Sequence, residues 1–402
     1  MELAELQLLL TPEGLGLLDR VGAVSSTDDV ARAVTTLRSE GYSPDLVAAV
    51  VTQARLRTRG EAKFGELAKR MLLTRAGLEQ ATRLPVAARH AARFREAGLG
   101  TGERSIVDLG SGIGGDALGF AGLGLRVHAV DVDEVTAAIC AFNLAPFGES
   151  ATVERAAAED VDLDRFDAAW LDPARRSAGH GETNRTFDPA EFTPRLDWAF
   201  SIGERMPVGI KLGPGLPHDA LPSGERVEAQ WITVGQTTIE LVVWLGALAR
   251  PGVGRSALVL GADGAHELTA RSAVADEPRH PLGSFVHEPA GSIIRAQLVG
   301  AVARELDAGP VADGIAYLTS DADRRSPFAQ TFRVREVLPA DTRKLGAALR
   351  ERRIGTLEIK KRGVDVDPQK LRPQLKLRGD ESATLLMTRI DGARVAILAD
   401  RV

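Results

Sequence analysis

The chain has 402 residues, with 50 Lys and Arg against 55 Asp and Glu and a formal net charge of −5. That length predicts two or three domains, and 44% hydrophobic with 26% charged residues excludes a mostly disordered chain. Its single cysteine, Cys140, excludes a disulfide scaffold, a cysteine zinc site and an iron–sulfur cluster, and only 4% aromatic content argues against a nucleic-acid surface built mainly from stacked rings. No run of about 18 apolar residues is present to span a bilayer, and the start Met1-Glu2-Leu3-Ala4-Glu5 is acidic where a secretory signal is basic. A cytoplasmic protein with no membrane partner and no metal is expected.

Residues 1–98 predict a helical domain. Leu3, Leu6, Leu9 and Leu10 recur at helical spacing, and Thr11-Pro12 and Ser43-Pro44 each read as an N-cap followed by proline at the first helical position. Further helices are expected over Glu61–Arg70 and Pro85–Glu96. From Arg104 short apolar runs alternate with helical stretches: Ser105–Leu109, Arg126–Asp131, Phe166–Leu171, Pro207–Leu212 and Ile239–Leu245. This α/β pattern predicts a mostly parallel, doubly covered sheet over 99–249, whose ligands bind beyond the carboxyl ends of its strands. Residues 250–283 read as a linker or hairpin. Residues 284–402 read as a separate α+β domain, ending in a hairpin around Asp391-Gly392.

The sharpest signal is Val107-Asp108-Leu109-Gly110-Ser111-Gly112-Ile113-Gly114-Gly115. Glycines after a strand let the backbone turn tightly and approach a ligand closely. The triplet alone also satisfies the G-x-G-x-x-G pattern of NAD enzymes through Gly110, Gly112 and Gly115. Two carboxylates favour a different ligand. Asp108 is placed to accept hydrogen bonds from an amino-acid moiety, which phosphate binding would not use. Asp131 ends the next strand, placed to accept both hydroxyls of a ribose.

This pattern resembles motif I and the following acidic strand of class I S-adenosylmethionine-dependent methyltransferases, a Rossmann-like fold. The resemblance implies that Asp108, Gly110, Ser111, Gly112 and Gly114 surround the methionine end and that Asp131 and Val132 lie at the ribose and beyond. Asp160 would contact adenine, unless the neighbouring Glu159 takes that place or Asp160 is a solvated loop acid.

The fourth strand ends Trp170-Leu171-Asp172-Pro173-Ala174-Arg175-Arg176. Methyl transfer is an in-line displacement, so catalysis consists largely of aligning nucleophile and methyl and stabilising the charge that moves. Hydrogen bonds from an acceptor N–H to Asp172 and the Pro173 carbonyl would localise a nitrogen lone pair. The corner looks like motif IV of amino-methyltransferases, but Ala174 replaces the second proline and Arg175 the aromatic. The Asp-Pro-x-Arg form is closer to several RNA methyltransferases, and the departures put adenine N6 in doubt. Arg175, Arg176 and Arg185 are candidates for phosphate contact or for plain solvation. His180 reads as a loop residue, and Lys211 lies at the site edge. Methylation at a pyrimidine C5 usually needs a cysteine that adds to C6. Cys140, on the cofactor side, does not suit that role, so a nitrogen or oxygen acceptor is favoured.

Basic residues cluster over Arg55–Arg95 and again over Arg350–Arg378, including Lys360, Lys361 and Arg362. Such segments hold a phosphate backbone or form a solvated face. The strings Phe285–Pro289, Ala316–Asp321, Leu357–Gly363 and Leu371–Arg378, with Met71–Thr82 near the N-terminus, are similar to a bacterial methyltransferase family carrying a C-terminal THUMP-like domain. THUMP domains proper bind RNA, so the resemblance implies S-adenosylmethionine as cofactor and a structured rRNA or tRNA as partner. A small-molecule or protein acceptor, an NAD-dependent oxidoreductase and a non-catalytic RNA-binding protein stay open at this point.

Overall fold

The computed structural model describes residues 1–175 and 191–402, with the Arg175 side chain left aside. The chain forms two compact units: Met1–Leu212 with Trp244–Ala249, and Gly213–Val243 with Arg250–Val402.

The first unit opens with α1 (Leu3–Leu9), α2 (Pro12–Val21), α3 (Thr27–Ser39) and α4 (Pro44–Phe64). The Thr11 hydroxyl accepts from the Gly14 N–H at 3.0 Å and the Ser43 hydroxyl from the Leu46 N–H at 3.3 Å, the caps read from sequence. The helix expected over Glu61–Arg70 is instead the end of α4 followed by a 3-10 turn over Gly65–Arg70, because Gly65 turns to φ +56°. An extended strap, 71–74, leads to α5 (Arg75–Gln80) and α6 (Leu84–Glu96).

Next come β1 (Ile106–Leu109), α7 (Gly115–Gly122), β2 (Val127–Asp131), α8 (Glu134–Leu144), β3 (Ala151–Arg155) and β4 (Ala168–Leu171). A short pair, β5 (Ala174–Arg175) and β6 (Phe192–Thr193), precedes α9 (Leu196–Arg205) and β7 (Val208–Leu212). The strands run parallel in the order β7-β4-β1-β2-β3. Every residue of β1, β4 and β7 is buried, as expected of a sheet covered on both faces. The helical segment does not stand apart as its own compact body. A Cβ on Gly119 of α7 would lie 2.7 Å from the Ala87 backbone of α6, so only glycine permits that approach. Phe94 meets Phe120 edge-on at 5.0 Å. The apolar face of α6 is thus spent on the sheet layer, which draws residues 1–98 into the same unit.

The second unit begins with β8 (Val227–Val234), β9 (Thr237–Leu245, its last two residues belonging to the first unit), β10 (Arg255–Gly261) and β11 (Gly264–Ala270). The hairpin expected within 250–283 is present as β10–β11. It is not a linker, since β10 pairs in parallel with β8. The remainder comprises β12 (Phe285–Pro289), α10 (Gly291–Arg295), α11 (Val299–Leu306), β13 (Gly309–Ala312), β14 (Ile315–Ser320) and β15 (Ala329–Pro339). It closes with α12 (Thr342–Glu351), β16 (Ile354–Lys361), α13 (Pro368–Leu375), β17 (Glu381–Ile390) and β18 (Ala393–Arg401). These strands form a mixed sheet, β13-β14-β12-β15-β18-β17-β16. Leu345, Leu349, Leu371 and Leu375 of α12 and α13 pack on Leu385, Met387 and Leu398. Asp391 and Gly392 adopt φ +49° and +78° at the β17–β18 turn, the left-handed pair that a two-residue hairpin requires. No helix among the described residues is long and apolar enough to cross a membrane.

Candidate active site

The glycine turn follows β1, with Gly110, Gly112 and Gly114 at φ +80°, +58° and +89°. These left-handed values strain any residue carrying a Cβ. The Gly110 and Ser111 N–H groups both donate to the Val130 carbonyl, at 2.9 and 3.0 Å. Ser111 is buried, with its hydroxyl 3.7 Å from Cys140 Sγ, and so shapes the turn from within. A Cβ on Gly114 would meet Cys140 Sγ at 3.1 Å, whereas one on Gly112 would meet nothing within 4 Å and project into open space.

The strand order places Asp131 and Asp172 at the tips of the two strands flanking β1. The Asp172 N–H donates to the Leu109 carbonyl at 3.3 Å, and a Cβ on Gly110 would lie 3.3 Å from the Asp172 carbonyl oxygen. The glycine turn, Asp131 and the Asp-Pro corner therefore lie together at the carboxyl edge of the sheet, the candidate cleft.

S-adenosylmethionine presents an ammonium group, a ribose diol and an adenine, and the residues here fit those groups. Asp108 is buried with Oδ2 lacking a hydrogen-bond partner among the described residues. Burial, with the nearby Asp116 and Asp172 carboxylates, holds its acid well above the usual range. A bound cation would relieve both costs. Asp131 accepts from the Gly112 N–H through Oδ2 (3.0 Å) and from the Asp133 N–H through Oδ1 (2.9 Å). One lone pair on each oxygen is left for a diol. Val132 beside it is 66% exposed, an apolar surface suited to a base. Asp160 and Glu159 both lie exposed in the turn after β3.

Beside this edge lies a polar network that joins Lys211 and Asp172 to Thr82, His90 and Asp116, three residues that sequence reasoning did not single out. Lys211, at the end of β7, places Nζ 2.6 Å from Asp172 Oδ2, 2.8 Å from Thr82 Oγ1 and 3.5 Å from Asp116 Oδ2. Asp116 also accepts from Thr82 at 2.7 Å and meets His90 Nδ1 at 2.8 Å. Burial would raise the Asp116 carboxyl. Lys211, His90 and the Thr82 hydroxyl outweigh it and hold the acid below the carboxylate range. Lys211, expected at the site edge, is buried and engaged with two aspartates, one of them Asp172. Trp170 lies 4.5 Å from the His90 ring and 5.7 Å from the Trp244 ring. No pattern in the sequence linked Thr82, His90 and Asp116, because their proximity arises only when α6 docks on α7.

The strap 71–74 is held by side chains on both sides. Gln53 accepts from the Leu73 N–H (3.1 Å) and donates to its carbonyl (2.5 Å). Asn143 of α8 accepts from the Leu72 N–H (2.8 Å) and donates to the carbonyls of Leu72 (3.0 Å) and Ile113 (2.9 Å). The glycine turn is thus clasped to the helical segment through one buried amide.

Pro173 is buried beside Asp172. Arg175 contributes its backbone to β5, while Arg176, His180 and Arg185 lie outside the described residues. Lys360, Lys361 and Arg362 belong to the second unit. Lys360 Nζ is 2.6 Å from Glu288 Oε2 and Arg362 3.3 Å from Glu288 Oε1, so two of the three cations expected to meet phosphate neutralise an internal carboxylate. Lys361 is exposed. Several other basic residues are likewise engaged. Arg57 donates to the Met71 carbonyl at 2.8 Å, and Lys63 to the carbonyls of Glu79 and Ala81 at 2.8 and 2.7 Å.

Comparison with known proteins gives matches over most of the chain. It is 33% identical over 347 residues to an uncharacterized S-adenosylmethionine-dependent methyltransferase of Mycobacterium tuberculosis, known from strains CDC 1551 and H37Rv, covering 83% of this chain and 90% of that one. Residues 329–401 match the THUMP domain-like family, and residues 2–60 match a domain of unknown function (DUF8688). A crystal structure from Porphyromonas gingivalis W83, described as a methyltransferase, superposes with a TM-score of 0.71 at 20% identity, covering 94% of this chain and all of that one.

Proposed function

Because the chain belongs to the S-adenosylmethionine-dependent methyltransferases and carries a C-terminal THUMP-like domain, we propose that this enzyme methylates a nucleobase nitrogen of a structured RNA. S-adenosylmethionine is its cofactor, which removes the NAD reading that the glycine triplet left open. Asp108, Gly110, Ser111, Gly112 and Gly114 would hold the methionine end, Asp131 and Val132 the nucleoside, and Asp160 the adenine edge. The cofactor supplies an electrophilic methyl carbon on a sulfonium.

The protein's own contribution is to align a nitrogen lone pair. The observation that carries this reading is the Asp172 tip adjoining the glycine turn, with Lys211 bound to its Oδ2. The ammonium holds the carboxylate in place at 2.6 Å. In this reading the Asp172 carboxylate and the Pro173 carbonyl take N–H bonds from an amine or ring nitrogen and fix the lone pair toward the methyl. Alignment in a partly closed cleft supplies most of such a barrier reduction.

The RNA acceptor is supported by the THUMP domain-like match and by exposed cations that include Lys361, Arg372 and Arg378. Mass spectrometry of nucleosides from the RNA of a strain lacking the protein tests the reading. One N-methylated base should disappear, then return with the wild-type gene and not with Asp172→Ala. An unchanged nucleoside profile would refute RNA as acceptor and leave a small molecule or protein.

A further inference from the structure

The arginines at Arg55, Arg59 and Arg75 are not accounted for by the cleft or by the internal ion pairs of the helical layer. Arg55 and Arg59 stand one turn apart on α4, and Arg75 begins α5 just after the strap. All three are exposed, and all three line a cavity of about 460 Å³ in the first unit. Leu56 and Leu73, both buried, contribute to its wall, and Glu5 is the acid at its rim. Arg75 also meets Glu79 at 3.3 Å across one helical turn, a weak exposed pair that a better anion displaces.

We propose that this cavity seats one unpaired nucleotide of the RNA substrate, its phosphate on the arginines and its base against the apolar wall at Leu56. The inference rests on the RNA reading above and deepens it by naming a contact. Three cations against one rim carboxylate favour an anion, and guanidinium planes both fork onto phosphate and stack on bases. The volume is that of a small-ligand pocket, too confined for a duplex yet fitted to a splayed-out nucleotide. The apolar wall explains why a bare anion would use only part of the site.

The location supports a role in the same reaction. Leu73 and Arg75 of the wall adjoin the strap that Asn143 ties to Ile113 of the glycine turn. A Cβ on Gly77 of α5 would lie 2.4 Å from Ile113 Cγ2, so α5 rests directly on that turn. A nucleotide seated here is held by the layer that covers the cofactor loop. The Met71–Thr82 string thereby acquires a physical purpose, joining an RNA contact to the loop.

The test measures binding of a labelled, mixed-sequence single-stranded RNA to the full chain over a salt series. Arg55→Gln/Arg59→Gln should weaken binding about tenfold and flatten the plot of log K against log salt by about 1.4, two contacts at about 0.7 each. S-adenosylhomocysteine affinity should not change, which also reports that the variant is folded. Arg32→Gln/Arg38→Gln makes the same charge change on α3 and should leave the slope as in the wild type. Unaltered affinity and slope in the first variant, or an equal loss in the second, would overturn the seat. A wild-type protein that binds no RNA would overturn the underlying reading and the seat with it. Wild-type binding with an unaffected first variant overturns the seat alone.

Discussion

Lys211 Nζ lies 2.6 Å from Asp172 Oδ2, and the same ammonium reaches Asp116 at 3.5 Å. One buried cation therefore joins the acceptor corner to the helix that follows the glycine turn. Lys211→Met would leave Asp116 buried without its cation, at a cost of about 3 kcal/mol. Denaturant melts should show that loss, and turnover should fall further than stability explains, with Lys211→Arg restoring part of both. A Lys211→Met variant with wild-type turnover would remove this residue from the alignment of Asp172.

On the proposed role of Asp172 in aligning the acceptor, Asp172→Ala should lower methyl transfer about 100-fold or more, while S-adenosylhomocysteine affinity stays within about twofold. Calorimetry paired with a transfer assay separates the two effects. Equal losses in cofactor affinity and turnover would place Asp172 at the cofactor instead.

Asp108 gives a pH signature. Its folded acid is raised by burial and by neighbouring carboxylates, so its stabilising contribution is present below about pH 4 and is lost as pH rises toward the folded value. Ligand-free Asp108→Asn should therefore melt higher than the wild type at pH 8, with the gap closing toward pH 4. The same change should weaken S-adenosylhomocysteine binding about 10- to 100-fold, since it removes a charge-assisted hydrogen bond of about 1.5–3 kcal/mol. A lower melting temperature at pH 8 would contradict the unpartnered carboxylate.

Asn143→Leu strips partners from the Leu72 N–H and from the carbonyls of Leu72 and Ile113. Unsatisfied buried groups cost about 1–3 kcal/mol each. The variant should lose several kcal/mol of stability and bind S-adenosylhomocysteine more weakly than Gln53→Leu, which frees the strap without touching Ile113. Identical cofactor affinities in the two variants would dissociate the clasp from the loop.

Cys140 is buried, and burial pushes its thiol up to about 12. Iodoacetamide should leave it unmodified in the native protein at pH 8, and Cys140→Ala should keep turnover. Rapid alkylation together with abolished activity would reopen covalent catalysis at a pyrimidine carbon.

Much of this protein was legible in one dimension. The alternation of short apolar runs with helices, the glycine string between Asp108 and Asp116, and Asp172-Pro173 at a strand end imply the parallel sheet and its ligand edge, because strand period and turn chemistry are local properties. Asp391-Gly392 announced the closing hairpin for the same reason.

Tertiary packing decided the rest. Thr82, His90 and Asp116 lie far from Lys211 in sequence, and no local rule pairs a loop residue such as Thr82 with a strand end 129 positions away. Only the docking of α6 on α7, allowed by Gly119, brings their charges into one buried network. Packing likewise sorted the basic residues. Lys360 and Arg362 became internal partners of Glu288, whereas Arg55 and Arg59 stayed at the rim of a cavity. A side chain's charge is written in the sequence; whether a carboxylate or the solvent meets it is set by how the elements fold together.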